Sequence, residues 1–165
     1  MQQARMTAFG VWLIGVVAFI LISGGRLPAS VASHFGFAGH ADAFMPRPLY
    51  LATMCAFAAG LPMLLVALPT WIARRWPRAL NLPHRDYWLA PQRREATTQA
   101  LTSHFVAFGV ALSLLLAFVH WEVVQANLRA PPTLDNGRFA AALLAFVLVL
   151  IFWSVRFFRR FRKPR

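Results

Sequence analysis

The sequence predicts an all-α membrane protein: four transmembrane helices in an antiparallel bundle, with a structured outer loop between helices 1 and 2. Three observations carry that prediction. Four apolar stretches, at 6–23, 49–73, 101–124 and 139–155, each run for about 17–25 residues, enough at about 1.5 Å per residue to cross a hydrocarbon core of about 30 Å. The 165-residue chain is 59% hydrophobic and 13% charged, whereas soluble domains carry about 25% charged residues. Basic residues gather between and beyond the stretches rather than within them. With loops of at most about thirty residues, the reading is a single integral membrane domain over 1–165.

The charge distribution sets the orientation. The net charge is +12, a value that also suits nucleic-acid binding. However, thirteen of the seventeen basic residues fall on one side: Arg5, then Arg74, Arg75, Arg78, Arg85, Arg93 and Arg94, then Arg156, Arg159, Arg160, Arg162, Lys163 and Arg165. Arg26, Arg47, Arg129 and Arg138 make up the other side. The positive-inside rule accounts for this bias without nucleic acid and puts both termini in the cytoplasm.

The first stretch follows Arg5 and ends at Gly24, Gly25 and Pro28. It resembles a signal peptide in outline but is long enough to span, and is read as a retained helix. Gly10 and Gly15 suit close helix packing. The second stretch holds the single Cys55, which has no disulfide partner, and Pro62 and Pro69, which remove backbone donors and predict a kink. The loop after it carries Trp71, Trp76 and Trp88, suited to the water–lipid boundary. Pro91 fits the first turn of a helix entering the third stretch, with 91–100 polar enough to project from the membrane. In the third stretch Gly109, Ser113 and Ala117 form a small-residue face. Ser113, His120 and Asn127 recur every seven residues and so share one stripe, while Glu122 points nearly opposite to His120. The fourth stretch follows the turn Asp135-Asn136-Gly137. It ends in the mixed aromatic and basic tail 156–163, which attracts anionic lipid headgroups.

The outer loop between the first two stretches, 25–48, contains only three charged residues, Arg26, Asp42 and Arg47, beside Phe35, Phe37 and Phe44. Such apolar content predicts that it folds back onto the helix ends. The three phenylalanines are expected to bury there, with His34 and Asp42 hydrogen-bonded beneath them.

Within this loop Leu27, Pro28, Val31, His34, Phe35, Gly39 and Asp42, with Arg47 where lysine is usual, resemble the bacterial membrane family called domain of unknown function 1648. The resemblance covers about 25–60. Two positions depart from the pattern: Ala32 stands where proline is usual and Gly36 where a small polar residue is. The stretch 81–91 is similar to one in small four-helix relatives. The family's domain also occurs in larger SdpI-like immunity proteins, which act in toxin immunity and signalling. The resemblance thus implies a bacterial inner-membrane protein of binding, accessory or immunity/signalling type, with a peptide or protein partner beside the lipid bilayer.

Two groups are candidate sites. His34, Asp42, His120 and Glu122 should all lie on the outer face. There they fit hydrogen bonds tying the loop to the third helix, a peptide or lipid site, or zinc ligation, although their spacing matches no zinc motif. His34 and His120 are expected to couple directly. Asn81, Arg85 and Asp86 are expected to form a cytoplasmic polar knot; the His84-Arg85-Asp86 run lacks the partners of a kinase catalytic loop. No catalytic triad, phosphate loop or nucleotide fingerprint is present, so the sequence names no catalytic residue, cofactor or metal. The alternative function is a membrane enzyme or small transporter using the outer His/Asp/Glu cluster.

Overall fold

The computed structural model describes residues 2–162; Lys163 and Arg165 of the basic tail lie outside the described residues. Four helical segments are long and apolar enough to cross a membrane: Gln2–Gly24, Arg47–Arg75, Arg94–Asn127 and Asn136–Arg160. The fold is therefore all-α with four candidate spans, joined by one small antiparallel hairpin.

Helix α1 (Gln2–Gly24) leads into strand β1 (Ser30–Phe35), which pairs with β2 (Ala41–Pro46). Helix α2 (Arg47–Cys55) starts immediately after β2, with Pro48 in its first turn, where the missing N–H costs nothing. It passes through a wide π turn at Ala56–Gly60 into α3 (Leu61–Arg75). The π turn answers the expected kink. Pro62 cannot donate to the carbonyl four residues back, and one loose turn accommodates its ring. A four-residue helix, α4 (Arg85–Trp88), precedes α5 (Arg94–Asn127), and α6 (Asn136–Arg160) closes the chain. Asp135 caps α6 by accepting from the Arg138 amide at 3.0 Å.

Helix α5 is the axis of the bundle and packs against α1, α3 and α6. At about 1.5 Å per residue it is roughly 50 Å long, more than a hydrocarbon core of about 30 Å. The expected small-residue face is where α1 and α3 approach it. Phe9 of α1 and Val66 of α3 are buried against Gly109, and Val16 and Ile20 pack near Ala117. Gly10 and Gly15, in contrast, face open space, so they do not serve close packing. Helix α6 leans mainly on α5 and contributes no buried residue.

The ends of the bundle differ. One carries the hairpin. The other gathers the arginines around an apolar cluster of Ala73, Leu82, Leu101 and Phe161, with Trp88 beside them. Helix α5 begins three residues after Pro91; residues 91–96 are exposed, whereas Thr97 and Thr98 are buried against this end of the bundle. Thr97 donates to the Trp88 carbonyl at 2.7 Å, and the Trp88 indole donates to the Phe161 carbonyl at 3.2 Å. Trp71 and Trp76 stand half-exposed and edge to face, as suits the lipid boundary.

Candidate functional site

The hairpin is the part of the molecule that hydropathy alone does not explain. It turns through Gly36–Gly39, closed by Gly36 N–H to the His40 carbonyl at 2.9 Å and Gly39 N–H to the Gly36 carbonyl at 2.8 Å. Gly39 has φ +80°, which a side chain rarely adopts, and a Cβ there would meet the Leu134 carbonyl oxygen at 2.7 Å. Ser33 and Asp42 fall at register shifts, so each strand is locally bulged.

Three attachments hold the hairpin. Val31 is fully buried with Leu27 and Tyr50 against Val123 and Val124 of α5. Taking a valine side chain out of water stabilises by about 1.5–3 kcal/mol. Asn127, at the end of α5, acts as a substitute strand: its Oδ1 accepts from the Ala32 amide at 2.8 Å and its Nδ2 donates to the Ala32 carbonyl at 2.9 Å. The need for that amide gives Ala32 a physical reason to depart from proline, which has no N–H to offer. Finally, the loop from α5 to α6 clasps the turn. Leu134 N–H donates to the Gly39 carbonyl at 2.8 Å, and the Asn136 amide donates to the Phe37 carbonyl at 2.7 Å.

Beneath the hairpin lies a buried polar network centred on His120, which is fully enclosed. Ser23 donates to the Phe19 carbonyl at 2.5 Å, so its oxygen is free to accept from His120 Nε2–H at 2.9 Å. His120 Nδ1 then accepts from the Tyr50 hydroxyl at 3.0 Å. This order of donors assigns the neutral Nε2–H tautomer. Tyr50 stacks on the imidazole with centroids 5.7 Å apart, and Phe19 meets it edge-on at 6.1 Å.

The four outer candidates therefore occupy three places. His34 Nδ1 lies 2.5 Å from Asp42 Oδ1, but the side chains are 71% and 51% exposed, so the pair sits on the hairpin surface and not beneath phenylalanines. His120 has both ring nitrogens engaged by Ser23 and Tyr50, leaving none for His34. Glu122 points away toward α6, where its Oε1 lies 2.7 Å from the Arg138 guanidinium. That contact is an ion pair without hydrogen-bond alignment. Among the described residues, no three His, Cys, Asp or Glu side chains are grouped as metal ligands would be.

The expected burial of the phenylalanines needs correction too. Phe35 packs against the core, but Phe37 is wholly exposed at the turn and Phe44 is 56% exposed. The polar knot is also looser than expected. Arg85 reaches Asp86 only at 3.7 Å and donates to the Arg78 carbonyl at 2.9 Å, while Asn81 is exposed and bonded to neither. Such exposed pairs contribute little; Trp88 and Leu82 organise that end instead.

Residues 10–59 match the family model described as Domain of unknown function (DUF1648). Over that segment, less than a third of the chain, the protein is similar to the DUF1648 family. No curated protein and no solved structure matches the chain. The DUF1648 segment runs from within α1 through the hairpin to the π turn. It supplies Ser23, Tyr50 and Ala32, whereas their partners His120 and Asn127 come from α5, outside the match. Helix α5 thus completes, in space, a network that the DUF1648 segment only begins. The sequence reading missed Ser23, Tyr50 and Arg138 as partners. A tyrosine and a serine at the ends of neighbouring spans, facing a histidine at the same depth, were the available signal.

One prediction follows from the tautomer chain. Tyr50→Phe and His120→Ala should each cost about 1–3 kcal/mol in detergent, by leaving a buried group unsatisfied. The double variant should cost clearly less than their sum, while His34→Ala and His120→Ala should add, since they share no partner. Chemical unfolding of the three single and two double variants measures this; a strong His34–His120 coupling would overturn the assignment.

Proposed function

We propose that the chain is a multi-pass protein of the bacterial inner membrane with both termini in the cytoplasm. We further propose that it acts as a binding or accessory module of immunity or signalling type, receiving an extended peptide or protein partner at the outer hairpin. The observation that carries this reading is a rigidly mounted strand with an open edge. β1 is covered on its outer side by Asn127, whereas β2 has no further strand beside it among the described residues. An unpaired edge receives an extended chain by strand addition, with main-chain hydrogen bonds giving affinity. Phe37 and Phe44 stand exposed next to that edge, as apolar anchors do before a partner covers them. The exposed His34–Asp42 pair offers polar contacts on the same hairpin. The thirteen-to-four basic asymmetry supports the orientation.

One experiment tests both parts. A photo-crosslinking residue is placed at Phe44, and in a separate variant Phe37→Cys is labelled on intact cells with a membrane-impermeant thiol reagent. Labelling without permeabilisation and a discrete adduct from Phe44, lost when Phe37 is alanine, are expected. Labelling only after permeabilisation would reverse the topology. The absence of any adduct in native membranes would remove the binding role.

A further inference from the structure

At the opposite end of the bundle a groove of about 720 Å³ opens between α5 and α6. Its floor on α5 is made of small residues, Ala100, Ser103 and Ala107, whose short side chains leave the space between the two helices unfilled. Its wall on α6 is Phe152 and Trp153, and its mouth is ringed by Arg156, Arg159 and Arg160. The wall is fixed in place. The Trp153 indole donates to the His104 carbonyl at 2.9 Å, and its ring stacks on the His104 imidazole with centroids 4.1 Å apart. A further guanidinium, that of Arg5, hydrogen-bonds the Ser103 hydroxyl on the groove floor.

We propose that this groove binds one anionic phospholipid of the surrounding bilayer, with its phosphate at Arg156 and Arg159 and an acyl chain along Phe152, Trp153 and Ala107. Charge complementarity identifies the occupant. The ion pairs among the described residues involve Arg85, Arg138 and His34, so the groove's three arginines have no carboxylate partner among those residues. Planar guanidinium groups are matched to phosphate oxygens. Their position also matters: they follow the apolar part of α6 directly, where a headgroup sits, and the aromatic wall continues toward the depth of the chains. A soluble phosphate compound would gain nothing from that wall, and a second protein copy would not neutralise the cations.

Native mass spectrometry of the full chain, released from nanodiscs of mixed phosphatidylglycerol and phosphatidylcholine, tests the proposal. The wild type should retain one phosphatidylglycerol in preference to phosphatidylcholine. The double change Arg156→Gln and Arg159→Gln should weaken retention by about tenfold, since each basic residue near the headgroup adds a separable attraction. Arg74→Gln with Arg75→Gln, on the same end but outside the groove, should leave it unchanged. Ala107→Phe fills the groove while keeping every charge, and should also abolish preferential retention; Ala100→Leu replaces it if that variant does not fold in phosphatidylcholine discs. Full retention in Ala107→Phe and Ala100→Leu would reduce the effect to general surface attraction and overturn the site. So would displacement of the lipid by inorganic phosphate, or a dimer mass in place of a lipid adduct.

Discussion

Replacing Arg138 with alanine is expected to destabilise the protein by about 3 kcal/mol, the low end of the range for breaking a buried pair because Arg138 is itself half-exposed. Glu122 is 2% exposed, so without the guanidinium its carboxylate would be enclosed by α5 and α6 with no compensating charge. Glu122→Gln removes that charge and should cost much less. In the Glu122→Gln background, Arg138→Ala should recover most of the loss, since no enclosed anion remains. Unfolding in detergent measures the cycle. A loss below about 0.5 kcal/mol for Arg138→Ala alone would place the pair among ordinary surface contacts.

Gly109→Leu is expected to be as damaging for a different reason. A bare Cβ at this position would lie 2.7 Å from the Phe9 ring and 2.7 Å from a Val66 methyl. Phe9 and Val66 are buried, and valine is stiff about χ1, so neither can swing away freely. Relief requires α1 and α3 to move back from α5. Overpacking of this kind typically costs about 1–3 kcal/mol for small insertions. Gly109→Ala should fall in that range, and leucine, with three more carbons, should exceed it. Equal melting temperatures for the wild type and both variants would mean the helices are not in close contact there.

The spans were readable from the sequence because twenty apolar residues in a row have few other uses. The Ser113–His120–Asn127 stripe was readable too, and each member proves to be a clasp: Ser113 accepts from the Trp12 indole at 2.8 Å, His120 joins Ser23 to Tyr50, and Asn127 holds Ala32. What sequence spacing could not give was the other half of each clasp. Those partners lie about seventy to a hundred residues away and are ordinary in themselves, one of them a bare backbone. The hairpin was expected to be ordered, and its strands and clasped turn give it that order. Its phenylalanines were misplaced because apolar content reports a tendency to bury without reporting which face turns inward.

The minority arginines carry a related lesson. Arg47 donates to the Leu27 carbonyl, Arg129 to the Thr133 carbonyl, and Arg138 pairs with Glu122. Three of the four minority arginines thus have a partner in the fold, which a count of charges alone does not show.

The clasp between Asn127 and Ala32 also bears on how the protein is made. The two residues are separated by 95 positions, so on a ribosome the hairpin emerges long before the helix end that covers it. The edge of β1 stays uncovered while the second and third spans are still being synthesised and inserted. During that interval both edges of the hairpin are open to strand addition, whereas the finished protein leaves only one. Delivery of the third helix therefore leaves the hairpin with one uncovered edge instead of two, and a nascent chain stalled before it would present a different surface from the mature protein.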